Sequence, residues 1–186
     1  MHTPFARDEV ARILKACDAY QPETETDRLR ALVLLLLATG LRFPEAVTLS
    51  RDRIVDGKLI LRTGKTGRPP HCRLAPIVLA ALGAIPASTY FFCGDSNLKR
   101  SKRTWGRVLP RLLVLASVVG CAYTFRATFT AELLESGASE SDVEMLLGHR
   151  VFKITERPEA IVARQELLDA QVMKMWAQGG WSRSSL

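Results

Sequence analysis

Apolar positions recur at helical spacing along most of the chain, and the period changes in one place. Near the start, Val10, Ile13, Leu14 and Cys17 share one face behind Pro4 and an early acidic pair, Asp8 and Glu9, which predicts a helix over about residues 6–19. QPETETD then reads as a polar linker. A second helix follows in DRLRALVLLLLATG, with Thr26 as its cap and Gly40 as its stop. The apolar run at 31–38 is far short of the roughly 20 residues a membrane span requires, so it reads as a helix buried on most sides. Pro44, two residues after Arg42, suits the first turn of a third, short helix, PEAVTL.

Beyond it the spacing becomes that of strands. Ile54 and Val55, an Asp56-Gly57 turn, and residues 58–62 predict two strands joined as a hairpin. TGKTGRPP supplies a second turn and HCRLAP a third, short strand. Pro76 opens another helix, IVLAALGAI, and PASTYFFCGDSN reads as a loop with an apolar middle. Helical spacing returns with Trp105, Val108, Leu112 and Leu115, and Pro110 predicts a kink there. The stretch 123–149 carries two helices. Thr124 is the expected N-cap of the first, Phe125, Phe129 and Leu133 form its apolar face, and Gly137 its left-handed end. Ser139 and Asp142 make a capping signature for the second, with Val143, Leu146 and Leu147 apolar and Gly148 closing it. Residues 151–155 read as extended. Pro158 opens a last helix to about residue 178, and GGWSRSSL reads as a frayed tail. The fold class is therefore mainly α with a small three-stranded antiparallel sheet (α+β). The expected organisation is a single domain over 1–178 with a flexible tail at 179–186.

Composition narrows the class of partner. The 186 residues suffice for one well-buried core, and 47% hydrophobic with 24% charged residues exclude general disorder. A net charge of +7, with pI near 9.6, favours a polyanion, nucleic acid before an acidic membrane surface. The excess is local: Lys99, Arg100, Lys102, Arg103, Arg107 and Arg111 follow one another with no acid between Asp95 and Glu132, which points to phosphate contacts. The four cysteines are scattered, without a C-x-x-C pair or a neighbouring His cluster, which argues against structural zinc. With no signal peptide, reduced thiols and a cytoplasmic location are expected.

Five residues stand out for chemistry. Arg42 follows the Thr39-Gly40 break, where it either answers a helix C-terminus or presents its side chain to a ligand. Lys65 lies between Gly64 and Gly67, in a turn that either sits in solvent or approaches a ligand closely. Arg126 falls in the expected first turn of its helix, where the dipole prefers acids, and a bound anion would remove that conflict. His149, just past Gly148, approaches Arg126 if the two helices fold back on each other. Tyr123, before the expected cap, is most simply an apolar staple on the first turn.

Taken in order, ATGLRFPEAVTL, the hairpin LILRTGKTGRPPHCRLAP, YTFRATF and LLGH resemble the catalytic domain of tyrosine recombinases, the phage-integrase family, over about residues 5–176. The resemblance implies a helical domain with a small sheet that wraps double-stranded DNA and cuts one strand through a phosphotyrosine bond, without metal or cofactor. It implies that Arg42 and Arg126 hold the non-bridging oxygens of the scissile phosphate, that Lys65 protonates the leaving 5′ oxygen, and that His149 assists at the phosphate or orients the nucleophile. Arg68, Lys99, Arg100, Lys102 and Arg103 become further DNA contacts, and a homo-oligomer on DNA is compatible with the family.

Two departures qualify this. Tyr123 stands three residues before Arg126, where the family usually has His or Lys; a phenol donates a hydrogen bond to phosphate but shuttles protons poorly near neutral pH. No tyrosine follows Tyr123, and Pro158 and Glu159 stand near the place expected for the nucleophile. Impaired strand cleavage is the expectation, with a non-catalytic DNA-binding protein or regulator derived from a recombinase as the alternative. The few residues before the first helix also predict that the DNA-clamping domain usual in the family is absent. Readout by AELLESGASESDVEMLLG as a helix-turn-helix ranks low, because Glu140, Asp142 and Glu144 on its second helix would be repelled by DNA.

Overall fold

A computed structural model describes residues 3–20, 23–61, 66–94, 97–153 and 155–179, of which 23–26 are described by their backbone alone. The helices are α1 Arg7–Asp18, α2 Glu23–Thr39, α3 Phe43–Val47, α4 Pro76–Ala84, α5 Leu98–Leu115, α6 Ala122–Glu135, α7 Glu140–Leu146 and α8 Pro158–Gln178. The strands are β1 Ile54–Val55, β2 Lys58–Ile60 and β3 His71–Arg73. The predicted fold class, mainly helical with one small three-stranded antiparallel sheet, is the one observed.

The fold is built around α2. Residues 31–38 are essentially inaccessible to solvent, and α2 packs against α1, α4 and α6. The mean apolarity of this stretch has no amphipathic direction because it has no solvent face. From α6, Phe125, Phe129 and Leu133, one helical turn apart, are also fully buried. Phe5 packs edge-on against Phe125 with ring centroids 5.0 Å apart, and its N–H donates to Thr128 Oγ1 at 2.9 Å. The sheet runs β1-β2-β3, with Leu59 opposite Cys72 on the buried face and Ile60 opposite His71. Asp56 and Gly57, both at positive φ (49° and 72°), make the expected turn.

Several boundaries differ from expectation, each for a local reason. The polar QPETETD stretch is not all linker: α2 already begins at Glu23, so Thr26 lies inside the helix rather than capping it. In α6 the N-cap is Cys121, not Thr124. Thr124 occupies the third helical position, where its hydroxyl accepts from the Cys121 N–H at 3.0 Å, so its capping chemistry is present but reaches backwards. Arg126 therefore sits in the second turn, not the first. Tyr123 lies inside the helix with 61% of its surface exposed and is no staple. The helix α5 runs on through Pro110.

On one side of the sheet α8 lies against β3. There His71, Lys58 and Asp169 meet, with Lys58 Nζ 2.9 Å and His71 Nε2 3.8 Å from Asp169 Oδ2. Burial pushes the His71 imidazole below its ordinary value, Asp169 opposes this, and Lys58 adds to it. The folded state thus takes up the proton less readily than the unfolded chain. The stability this confers is complete above the ordinary histidine value of about 6.5 and is lost as pH falls below it. Denaturant midpoints compared at about pH 7.5 and about pH 5.5 should fall with acid, and the fall should be smaller in His71→Gln. An identical fall in both proteins would show that His71 carries none of it.

Candidate functional site

The end of α2, the start of α3, the second turn of α6 and the end of α7 converge. Gly40, at φ +57°, turns the chain out of α2, and Arg42 is the N-cap of α3. The Arg42 N–H donates to Glu45 Oε2 at 3.0 Å, and its Nη1 lies 3.5 Å from Glu45 Oε1. From α6, Arg126 donates through Nη1 to the Gly40 carbonyl at 2.6 Å and through Nη2 to the Leu147 carbonyl at 3.1 Å. These two oxygens belong to helix ends, which lack intrahelical donors. At the end of α7, Gly148 adopts φ +73° and the His149 N–H donates to the Glu144 carbonyl at 2.8 Å.

This places the His149 ring between two cations. Nε2 is 3.0 Å from Arg126 Nη2 and 3.5 Å from Arg42 Nη2. A guanidinium has only donors, so a hydrogen bond from either arginine to Nε2 uses the lone pair of that nitrogen. Burial, and secondly the charge of Arg42, lower the Arg126 pKa from its ordinary value, while Glu45 and Tyr123 work the other way. The guanidinium stays protonated, so the shift expresses the cost of holding a half-buried cation beside another. Arg42, whose side chain is 48% exposed, and His149 open this cluster to solvent. Two guanidinium groups and an imidazole so placed have the chemistry to accommodate an anion with several oxygens.

Of the residues singled out in the sequence, Arg42, Arg126 and His149 are brought together. Tyr123 is exposed one turn before Arg126 on α6, near enough to act on its charge. Lys65 lies outside the described residues. Arg68 is exposed, and its backbone forms an antiparallel bridge with Phe152, each N–H donating to the other's carbonyl at 3.0 Å. The expected extended stretch after His149 is thus present at Phe152. Lys99, Arg100, Lys102 and Arg103 are exposed on the first turns of α5, which packs on α3. Two of the acids of α7 are engaged within the chain, while Glu140 is exposed: Asp142 is buried, accepts from Ser139 and meets Arg164 of α8, and Glu144 pairs with Arg150. Pro158 and Glu159 form the exposed first turn of α8. Sequence reasoning missed Glu45, although an acid at the third position of a helix behind its N-cap is a recognisable capping signal.

Comparison with known proteins bears on the family and the fold. The model of the phage integrase family matches residues 4–158. Tyrosine recombinase XerA of Thermococcus kodakarensis is 30% identical over 165 residues, covering 82% of this chain and 56% of that protein. XerC of Rickettsia canadensis is 27% identical over 163 residues, covering 82% of this chain and 53% of its own. The chain thus spans about half the length of these curated relatives. Among solved structures, XerA recombinase superposes with a TM-score of 0.64 at 21% identity over 97% of this chain and 66% of that one. The lambda integrase catalytic core does so with 0.60 at 21% over 83% of this chain and 99% of that one. A family match over most of the chain, together with a recombinase-core fold, leaves one assignment: the chain belongs to the phage integrase family of tyrosine recombinases.

Proposed function

We propose that this chain binds double-stranded DNA as a recombinase-like catalytic domain over residues 1–178 and that its strand-cleaving step is impaired. The observation that carries the reading is the pair Arg42 and Arg126 meeting at one imidazole nitrogen, with Glu45 the only carboxylate ion-paired to either among the described residues. Two cations so placed repel each other, and a phosphodiester offers two non-bridging oxygens that accept from both. Backbone anchoring of Arg126 by two carbonyls fixes its fork before DNA arrives, which lowers the ordering cost on binding. His149 serves the same phosphate, Lys65 the leaving 5′ oxygen, and Tyr123 stands as a hydrogen-bond donor beside Arg126. Arg68, Lys99, Arg100, Lys102 and Arg103 supply sequence-independent backbone contacts. Support for DNA as the partner comes from fold neighbours solved as complexes, among them XerH in a pre-cleavage complex with difH substrate. A cytoplasmic protein that assembles as a homo-oligomer on DNA fits the same reading.

Cleavage by this family's route requires a phenolate that attacks phosphorus and expels the 5′ oxygen. The chain has three tyrosines, of which Tyr123 is the last, so none follows His149. Binding without cleavage, as in a regulator derived from a recombinase, is the reading favoured if that step is wholly lost. A nicked suicide duplex, in which a covalent intermediate is trapped, decides this. No denaturation-resistant protein–DNA adduct should form, although the duplex is bound. An adduct at any residue overturns the impaired reading, and absence of salt-sensitive duplex binding overturns the DNA-binding one.

A further inference from the structure

Among the described residues, the strand order β1-β2-β3 leaves the outer edge of β3 without a strand partner. An open edge must find donors and acceptors elsewhere. At His71 it finds a side chain: the His71 N–H donates to Gln165 Oε1 at 3.1 Å, and the His71 carbonyl accepts from Gln165 Nε2 at 2.8 Å. A primary amide offers one acceptor and one donor side by side, as a neighbouring strand would. Its orientation is set by Asp169, one helical turn on, whose Oδ1 accepts from the same Nε2 at 3.1 Å. The other carboxylate oxygen of Asp169 takes Lys58 Nζ of β2 at 2.9 Å. Gln165 and Asp169 are 6% and 7% exposed, so this amide and carboxylate are held away from water by design of position, not at a solvated rim.

A little earlier in the chain, Arg68 and Phe152 form an isolated antiparallel bridge. The approach is close, since a Cβ on Gly67 would lie 2.5 Å from the Phe152 carbonyl oxygen. Phe152, Gln165 and Asp169 all lie in the part of the chain that follows His149. Buried polar pairs add little net stability compared with apolar packing, but they admit one register, and a shifted register here would break three contacts together.

We infer that Gln165 and Asp169 are positioning residues that lock α8 onto the open edge of the sheet, so that the strands bearing the hairpin and the segment from Phe152 through α8 respond to bound DNA as one body. This rests on the DNA-binding reading above. A duplex that contacts Arg68 would then be felt at α8, far along the chain from that contact.

Hydrogen–deuterium exchange of the full chain, free and bound to a duplex, tests it. In the wild type, binding should slow exchange both around Arg68 and in α8 near Gln165. In Gln165→Leu, protection around Arg68 should persist while α8 returns to its DNA-free rate. A merely structural role would lower stability in both states without removing the DNA-dependent difference. Unchanged α8 protection in Gln165→Leu overturns the inference, as does a wild type that binds the duplex without protecting α8. A wild type that binds no duplex overturns the underlying reading as well. Should Gln165→Leu fail to fold, Asp169→Asn carries the comparison, because it keeps an oxygen facing Gln165 and removes the charge facing Lys58; it too should uncouple α8.

Discussion

Arg126→Ala is expected to weaken duplex binding by about 10- to 100-fold, the loss of one or two charge-assisted hydrogen bonds at about 1.5–3 kcal/mol. The slope of log affinity against log salt should fall by about 0.9 for each phosphate released. Part of the damage will be to folding, because the Gly40 and Leu147 carbonyls lose their donor, at about 1–3 kcal/mol for each left unpaired. Two companions separate these effects. Arg42→Ala removes a guanidinium that holds no backbone carbonyl among the described residues, so it should lose affinity with a smaller drop in melting temperature. Arg126→Lys keeps the charge but not the fork that spans two carbonyls and an anion, and should recover only part of the binding. Lys174→Ala, an exposed residue of α8, is the reference for general charge loss. Equal losses in Arg126→Ala, Arg42→Ala and Lys174→Ala would dissolve the phosphate site into a diffuse basic surface.

How far such a site can be read from sequence depends on the range of the contacts that make it. Capping at Ser139 and Asp142, the left-handed ends at Gly137 and Gly148, and the Asp56-Gly57 turn are local, and they are found where the sequence places them. The apolar faces of α1 and α6 follow from spacing alone. The start of α2 is not legible in the sequence, because polar residues on a first turn look the same as a polar linker. Thr124 misled for a subtler reason: its side chain does cap, but towards Cys121 behind it, and that moved Arg126 a turn deeper into α6. The bond that gives Arg126 its orientation spans 86 residues, to Gly40, and no periodicity carries it. The Gln165–His71 clamp spans 94 residues and reads in sequence as one more polar position on a long helix.

Gly40 joins these long-range contacts, and Gly40→Ala is expected to damage both stability and DNA binding strongly. Its backbone stands at φ +57°, where a side chain costs about 1–2 kcal/mol. An added Cβ would also meet Phe129 Cδ1 at 2.5 Å and Leu147 Cδ2 at 2.9 Å. Phe129 is fully buried, so its ring has no free space to enter, and overpacking of this kind costs about 1–3 kcal/mol. Together these predict a loss of about 2–5 kcal/mol and a melting temperature lower by roughly 5–20 °C for a chain of this size. The effect should extend to DNA, because relief of the clash displaces the carbonyl that holds Arg126 and the leucine whose own carbonyl holds it from the other side. Gly83→Ala is the control: Gly83 lies within α4, and a Cβ there meets nothing within 4 Å, so alanine should stabilise the helix by about 0.5–1 kcal/mol and leave binding unchanged. If Gly40→Ala melted like Gly83→Ala, the convergence of α2, α6 and α7 on this one position would be wrong, and with it the preorganised seat of Arg126.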